Sequence, residues 1–153
     1  MKTYQLFFLE EKKMKKSLIL FLGLTFSLSS LALTITDKPY EFTGNITTIS
    51  LTDSGGVINV VGNTSQYGKV WLTYNLKLDN PASPNQGSFS GRAVAIDDDG
   101  NRNGASRQGV WERKGSMMHF RSLDDVSDGN QYLCITSVNL LDDSLEMKFY
   151  SVK

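Results

Sequence analysis

Lys69-Val70-Trp71-Leu72-Thr73-Tyr74-Asn75-Leu76-Lys77-Leu78 alternates without error, with Val70, Leu72, Tyr74, Leu76 and Leu78 on one face and the lysines with Trp71 on the other. A period of two is the repeat of an extended chain, whose successive side chains point to opposite sides. The stretch therefore predicts a long, half-buried β-strand.

Runs of the same period recur at residues 45–52, 57–62, 88–97, 107–114, 116–123, 131–140 and 144–152. Turn-forming clusters separate them, among them Asp53-Ser54-Gly55-Gly56, Asp98-Asp99-Gly100-Asn101, Ser127-Asp128-Gly129-Asn130 and Asp142-Asp143. The three prolines lie outside the strand interiors, where a sheet tolerates them. Eight strands joined by short connections predict an all-β antiparallel meander. Left open, such a sheet would expose two long edges with no helix to cover them. Closure into a single up-and-down eight-stranded β-barrel removes the edges. A β-sandwich is the alternative, because alternation alone does not distinguish the two. The interior of an eight-stranded barrel is just wide enough to be filled by side chains or to hold one small ligand.

Meander connectivity also sorts the loops. Loops 63–68, 98–106 and 124–130 should share one end, which would gather Asp97, Asp98, Asp99, Asp124, Asp125 and Asp128. Loops 53–56, 80–87, 114–116 and 141–143 should share the other.

The amino-terminal part reads differently. Met14-Lys15-Lys16 is a basic region, residues 17–27 are apolar, and Ser30-Leu31-Ala32 places small residues where a signal peptidase reads them. We expect residues 1–32 to be a secretory signal cleaved after Ala32, with Met14 as an alternative start, and residues 33–153 to form one barrel domain. The apolar core is shorter than the roughly 20 residues a spanning helix needs, so no integral membrane anchor is expected after cleavage. The location implied is secreted or periplasmic. Of 16 basic and 16 acidic side chains, five lysines and two glutamates precede Leu33, leaving 11 and 14 beyond it. An acidic remainder with scattered lysines and arginines argues against nucleic acid as a partner. The single cysteine excludes a disulfide scaffold, and Tyr132-Leu133-Cys134-Ile135 marks Cys134 as a small buried residue.

Candidate chemistry is sparse. Asp99-Gly100-Asn101-Arg102-Asn103-Gly104 fits the first half of a calcium loop, but Val110 stands where the bidentate Glu belongs. What it leaves is a weak calcium site at Asp97, Asp99, Asn101 and Asn103, beside the simpler reading of a solvated hairpin loop. His119 has no second nitrogen or sulfur ligand nearby in sequence, which disfavours zinc, and is either a wall residue or a general base. Arg92 and Glu112 interrupt apolar runs. Facing inward they would bury a guanidinium with a carboxylate, which must then pair or serve a ligand; facing outward they are surface groups. Tyr74 and Trp111 are candidate pocket residues on the same reasoning.

Gly87-Ser88-Phe89-Ser90-Gly91-Arg92-Ala93, followed by the Asp/Gly/Asn loop and then Gly109-Val110-Trp111-Glu112-Arg113-Lys114-Gly115, resembles the barrel family of plant allene oxide cyclases, dirigent proteins and bacterial relatives. The resemblance implies a calycin-like eight-stranded barrel, often a dimer or trimer, with an apolar cavity and no required metal. No catalytic residue transfers position by position; Arg92 is the nearest candidate. The function expected is binding of a small apolar ligand, or of a partner protein, through the barrel mouth without catalysis. The alternative is a cofactor-free cyclase or isomerase, with Glu112 or His119 moving a proton and Arg92 balancing negative charge.

Overall fold

A computed structural model describes residues 34–36 and 38–153; the predicted export signal at residues 1–32 lies outside them. Eight strands follow in order: β1 (Tyr40–Thr52), β2 (Gly55–Thr64), β3 (Gly68–Lys77), β4 (Gln86–Ile96), β5 (Arg102–Lys114), β6 (Met117–Val126), β7 (Gln131–Asn139) and β8 (Ser144–Ser151). Each pairs antiparallel with the next, and β1 pairs with β8 from Tyr40↔Phe149 to Asn45↔Ser144. That last ladder closes the barrel and excludes the sandwich.

The strands extend further than their side-chain pattern predicts. β5 begins at Arg102 rather than 107, because residues 102–106 complete a backbone ladder with residues 92–96 of β4. β6 likewise runs to Val126, three residues past the predicted end, opposite Ala105. Asn, Gly, Ser and Asp in these stretches favour turns locally, but a neighbouring strand that satisfies every N–H and C=O outweighs that preference.

Alternation decides what is inside. Val70, Leu72, Tyr74 and Leu76 of β3 are buried, whereas Trp71 on the opposite face is 43% exposed beneath Lys69. The outer wall carries Lys69, Arg92, Arg121, Glu146 and Lys148, and the interior carries the apolar core. This polarity is the reverse of a membrane-spanning barrel, which is apolar outside and polar within.

The two halves of the interior are filled differently. Towards the end bearing the loops after β1, β3, β5 and β7, Tyr74, Phe89 and Phe120 pack as a ring trio with centroids 4.7–5.3 Å apart. Phe120, Trp111 and Met118 are buried in the same core. Towards the opposite end, which collects the acidic loops, neighbouring inward positions are small: Ala93 and Ala105 face each other across β4 and β5, and Ala95 faces Asn103. β1 has a bulge between Ile46 and Thr48, and beyond Asn45 it has lost β8 as a neighbour. Ile49 and Leu51 are consequently 43% and 50% exposed on an overhanging β1–β2 hairpin.

Candidate functional site

Tyr74, Gly91, Arg107, Asp124 and Tyr132 are cross-strand neighbours on successive strands β3 to β7, all on the inward face. Arg107 has a fully buried side chain. Its Nε donates to Asp124 Oδ2 at 2.7 Å, and its Nη2 meets the Met147 sulfur at 3.3 Å. The guanidinium carbon sits 4.6 Å from the centre of the Tyr74 ring. Gly91, the residue between them on β4, has no side chain to stand between the guanidinium and the ring. Asp124 Oδ1 accepts from Ser122 Oγ at 2.8 Å.

A buried guanidinium is costly unless paired, and the Asp124 carboxylate is its counter-charge. Burial alone would lower the pKa of Arg107; the Asp124 carboxylate more than offsets this, so the cation persists. Burial holds the Tyr74 hydroxyl above its ordinary value against the opposing charge of Arg107. Three atoms of this cluster, Tyr74 Oη, Arg107 Nη1 and Thr136 Oγ1, are buried with no hydrogen-bond partner among the described residues.

A cavity of about 60 Å³ lies between this cluster and the acidic end. Its walls are Val70, Leu72, Ala93, Ala95, Ala105 and Phe149, and Asp124, Cys134 and Met147 also line it. Tyr67 stands at its mouth, donating to Asp128 Oδ2 and sharing a hydrogen bond with Tyr132 Oη, both at 2.9 Å. Burial, then those two partners, push the Tyr67 hydroxyl above its ordinary pKa. The mouth is thus ringed by neutral phenols.

The residues singled out from sequence are dispersed. Tyr74 and Trp111 face inward, but Trp111 Nε1 is spent on the Ser88 and Lys77 carbonyl oxygens at 3.0 and 3.2 Å. Arg92 and Glu112 face outward, contrary to the buried-pair option, because each falls on the opposite parity from its buried neighbours Phe89 and Trp111. Glu112 pairs with Arg121 at 3.2 Å and Lys114 at 3.4 Å, and these cations, Arg121 first, hold its carboxyl below the usual range. His119 is also on the outer wall, its Nδ1 3.2 Å from Ser137 Oγ. None of these three lines the cavity, so neither proton transfer by Glu112 or His119 nor charge balance by Arg92 is placed there.

In the proposed calcium loop, the Asp97 carboxylate accepts from the Asp99 and Asn101 backbone amides and from Asn101 Nδ2, at 2.8–3.1 Å. Those bonds, led by Asn101, hold its pKa down. Asp99 is exposed, and Asn103 belongs to β5 and lines the cavity. Of the six aspartates expected at this end, Asp124 instead points into the barrel.

Arg107 and Asp124 are what sequence reasoning missed. The signal was available: Trp111 and Arg107 share a parity, as do Met118, Phe120, Ser122 and Asp124. Ending one strand at Leu123 and starting the other at Arg107 placed both residues at loop margins.

The opposite end carries a broader groove of about 470 Å³, lined by Leu51, Leu76, Leu78, Pro81, Pro84 and Trp111 among others. Comparison with protein-family models, curated proteins and solved structures finds no match for this chain.

Proposed function

We propose that this is an exported barrel that binds a small, mainly apolar molecule in the cavity at its acidic end, without turning it over. The observation that carries the reading is the uneven filling of the interior. Alanines at 93, 95 and 105 leave about 60 Å³ unfilled where larger side chains would have closed the core. At roughly 24 cal/mol per Å³, a void of that size costs on the order of 1.4 kcal/mol. Retaining it makes sense if something occupies it.

The size limits the ligand. A cavity of about 150 Å³ accepts benzene, so less than half of that admits only one narrow end of a molecule while the remainder crosses the mouth beside Tyr67 and Tyr132. The likeness to allene oxide cyclase and dirigent barrels supports the same reading, because an apolar cavity is the common theme there. Catalysis is the weaker alternative, since the polar strand residues suggested for it face outward.

Xenon tests the cavity directly. Methyl resonances of Ala93, Ala95 and Ala105 should shift saturably under xenon pressure, and Ala105→Val should abolish the shifts while the protein stays folded. Native mass spectrometry of protein purified from its source should show a co-purified small molecule. No xenon response, or an unchanged one in the variant, refutes the reading.

A second reading, docking of a partner protein, is favoured by the groove at the other end. Leu51 on its rim is half exposed, and Leu78, Pro81 and Pro84 extend the apolar lining. Leu51→Lys would weaken such a complex and leave the xenon response intact.

A further inference from the structure

We infer that the ligand carries a carbonyl group, and that its oxygen takes the place of the Met147 sulfur on Arg107. This rests on the cavity-binding reading above and specifies the chemistry of what enters. The observations are the partners that Arg107 does and does not have. Nε has a carboxylate, but Nη2 has only a thioether at 3.3 Å, and Nη1 has nothing among the described residues. A thioether is a weak acceptor, and a buried charged donor left with a weak acceptor forfeits much of what a good hydrogen bond returns.

Met147 is placed to give way. It both lines the cavity and touches Arg107, as Asp124 does, and of the two it is the neutral, weakly held partner. Three rotatable bonds and an unbranched chain make methionine the core side chain best able to move aside. Thr136 is its cross-strand neighbour on β7, and Thr136 Oγ1 is also unpartnered. An oxygen entering from the cavity in place of the sulfur would find the guanidinium, with the Thr136 and Tyr74 hydroxyls as further donors in the same cluster.

Charge selects a neutral acceptor. Asp124 already balances Arg107, and a carboxylate would bring a second, uncompensated negative charge into a buried site. A ketone, aldehyde, ester or lactone oxygen adds acceptor strength without net charge.

The test is a matched probe series, pentane, 2-pentanone, 2-pentanol and pentanoate, titrated into the protein and followed by methyl resonances of Met147 and of the cavity alanines. 2-Pentanone should bind about tenfold or more tightly than pentane, the increment expected of a hydrogen bond to a charged donor, and should shift the Met147 methyl. Thr136→Val and Tyr74→Phe should weaken the ketone and leave pentane unchanged. Because Arg107 variants risk unfolding, the paired substitution Arg107→Met with Asp124→Asn, which keeps the size of this cavity-lining side chain, is the second control; it should erase the preference for the ketone over pentane. Equal affinity for pentane and 2-pentanone, tightest binding of pentanoate or 2-pentanol, or a ketone preference that survives in the paired variant would each overturn the carbonyl assignment alone. If pentane and all the other probes fail to bind, the cavity reading falls with it.

Discussion

Replacing Asp124 by Asn removes one negative charge from the barrel interior while keeping the shape of the side chain. Arg107, with no exposure of its own, would then be a buried cation without a counter-charge. Removing one partner of a buried ion pair typically costs about 3–5 kcal/mol, because the remaining charge keeps its desolvation penalty and loses the attraction that offset it. Unfolding entropy near 2.1 cal/mol/K per residue gives about 0.23 kcal/mol/K for a barrel of roughly 110 residues, so the melting temperature should fall by roughly 13–22 °C. Urea unfolding followed by circular dichroism should give the same loss in free energy with an unchanged slope. The paired change Arg107→Met with Asp124→Leu should recover most of the loss, since an apolar replacement of both partners carries no desolvation cost. A loss below about 1 kcal/mol for Asp124→Asn, or a paired variant no more stable than the single one, would refute the account of this pair.

Three further outcomes follow from neighbouring features. Trp111→Phe leaves the Ser88 and Lys77 carbonyls without their indole donor and should cost about 1–3 kcal/mol by urea titration. Burial pushes the Cys134 thiol well above its ordinary pKa, so a disulfide reagent at pH 8 should leave it unmodified until denaturant unfolds the barrel. The same raised values of Cys134 and Tyr74 give stability that is complete below their unfolded pKa values, about 8.5 and 10, and lost as the pH rises beyond them. On the acid side, Asp97, Glu112 and Asp142 have folded pKa values below their unfolded ones. Their contribution is present at neutral pH and lost as the pH falls below about 4. The melting temperature should therefore be level between those limits and decline outside them; a decline beginning near pH 6 would contradict this.

Much of the fold is legible in the alternation of residues 69–78 and its seven echoes, because a strand with one buried face must write its side chains in period two. The turn clusters set the strand count, and the cost of open edges selected a closed meander. Loop grouping followed from connectivity alone. Strand ends were less legible: Arg102 to Ser106 and Asp124 to Val126 are extended because their neighbours offer a ladder, and nothing in their own composition says so.

The site was the least legible part. The polar residues within strands allow two readings of Glu112 and Arg92, a buried ion pair or two surface groups, and the second holds. Both lie on the wall, because the parity of β4 and β5 is set by Phe89 and Trp111. The architecture of eight strands, one meander and a preference for closure follows from a local repeat and from backbone hydrogen bonding alone. The inward faces of β4 and β5, the seat of Arg107 over Tyr74 and the void beside three alanines on adjoining strands depend instead on how neighbouring strands meet. Parity and register are relations between strands, fixed by how the whole barrel closes, and no single strand contains them.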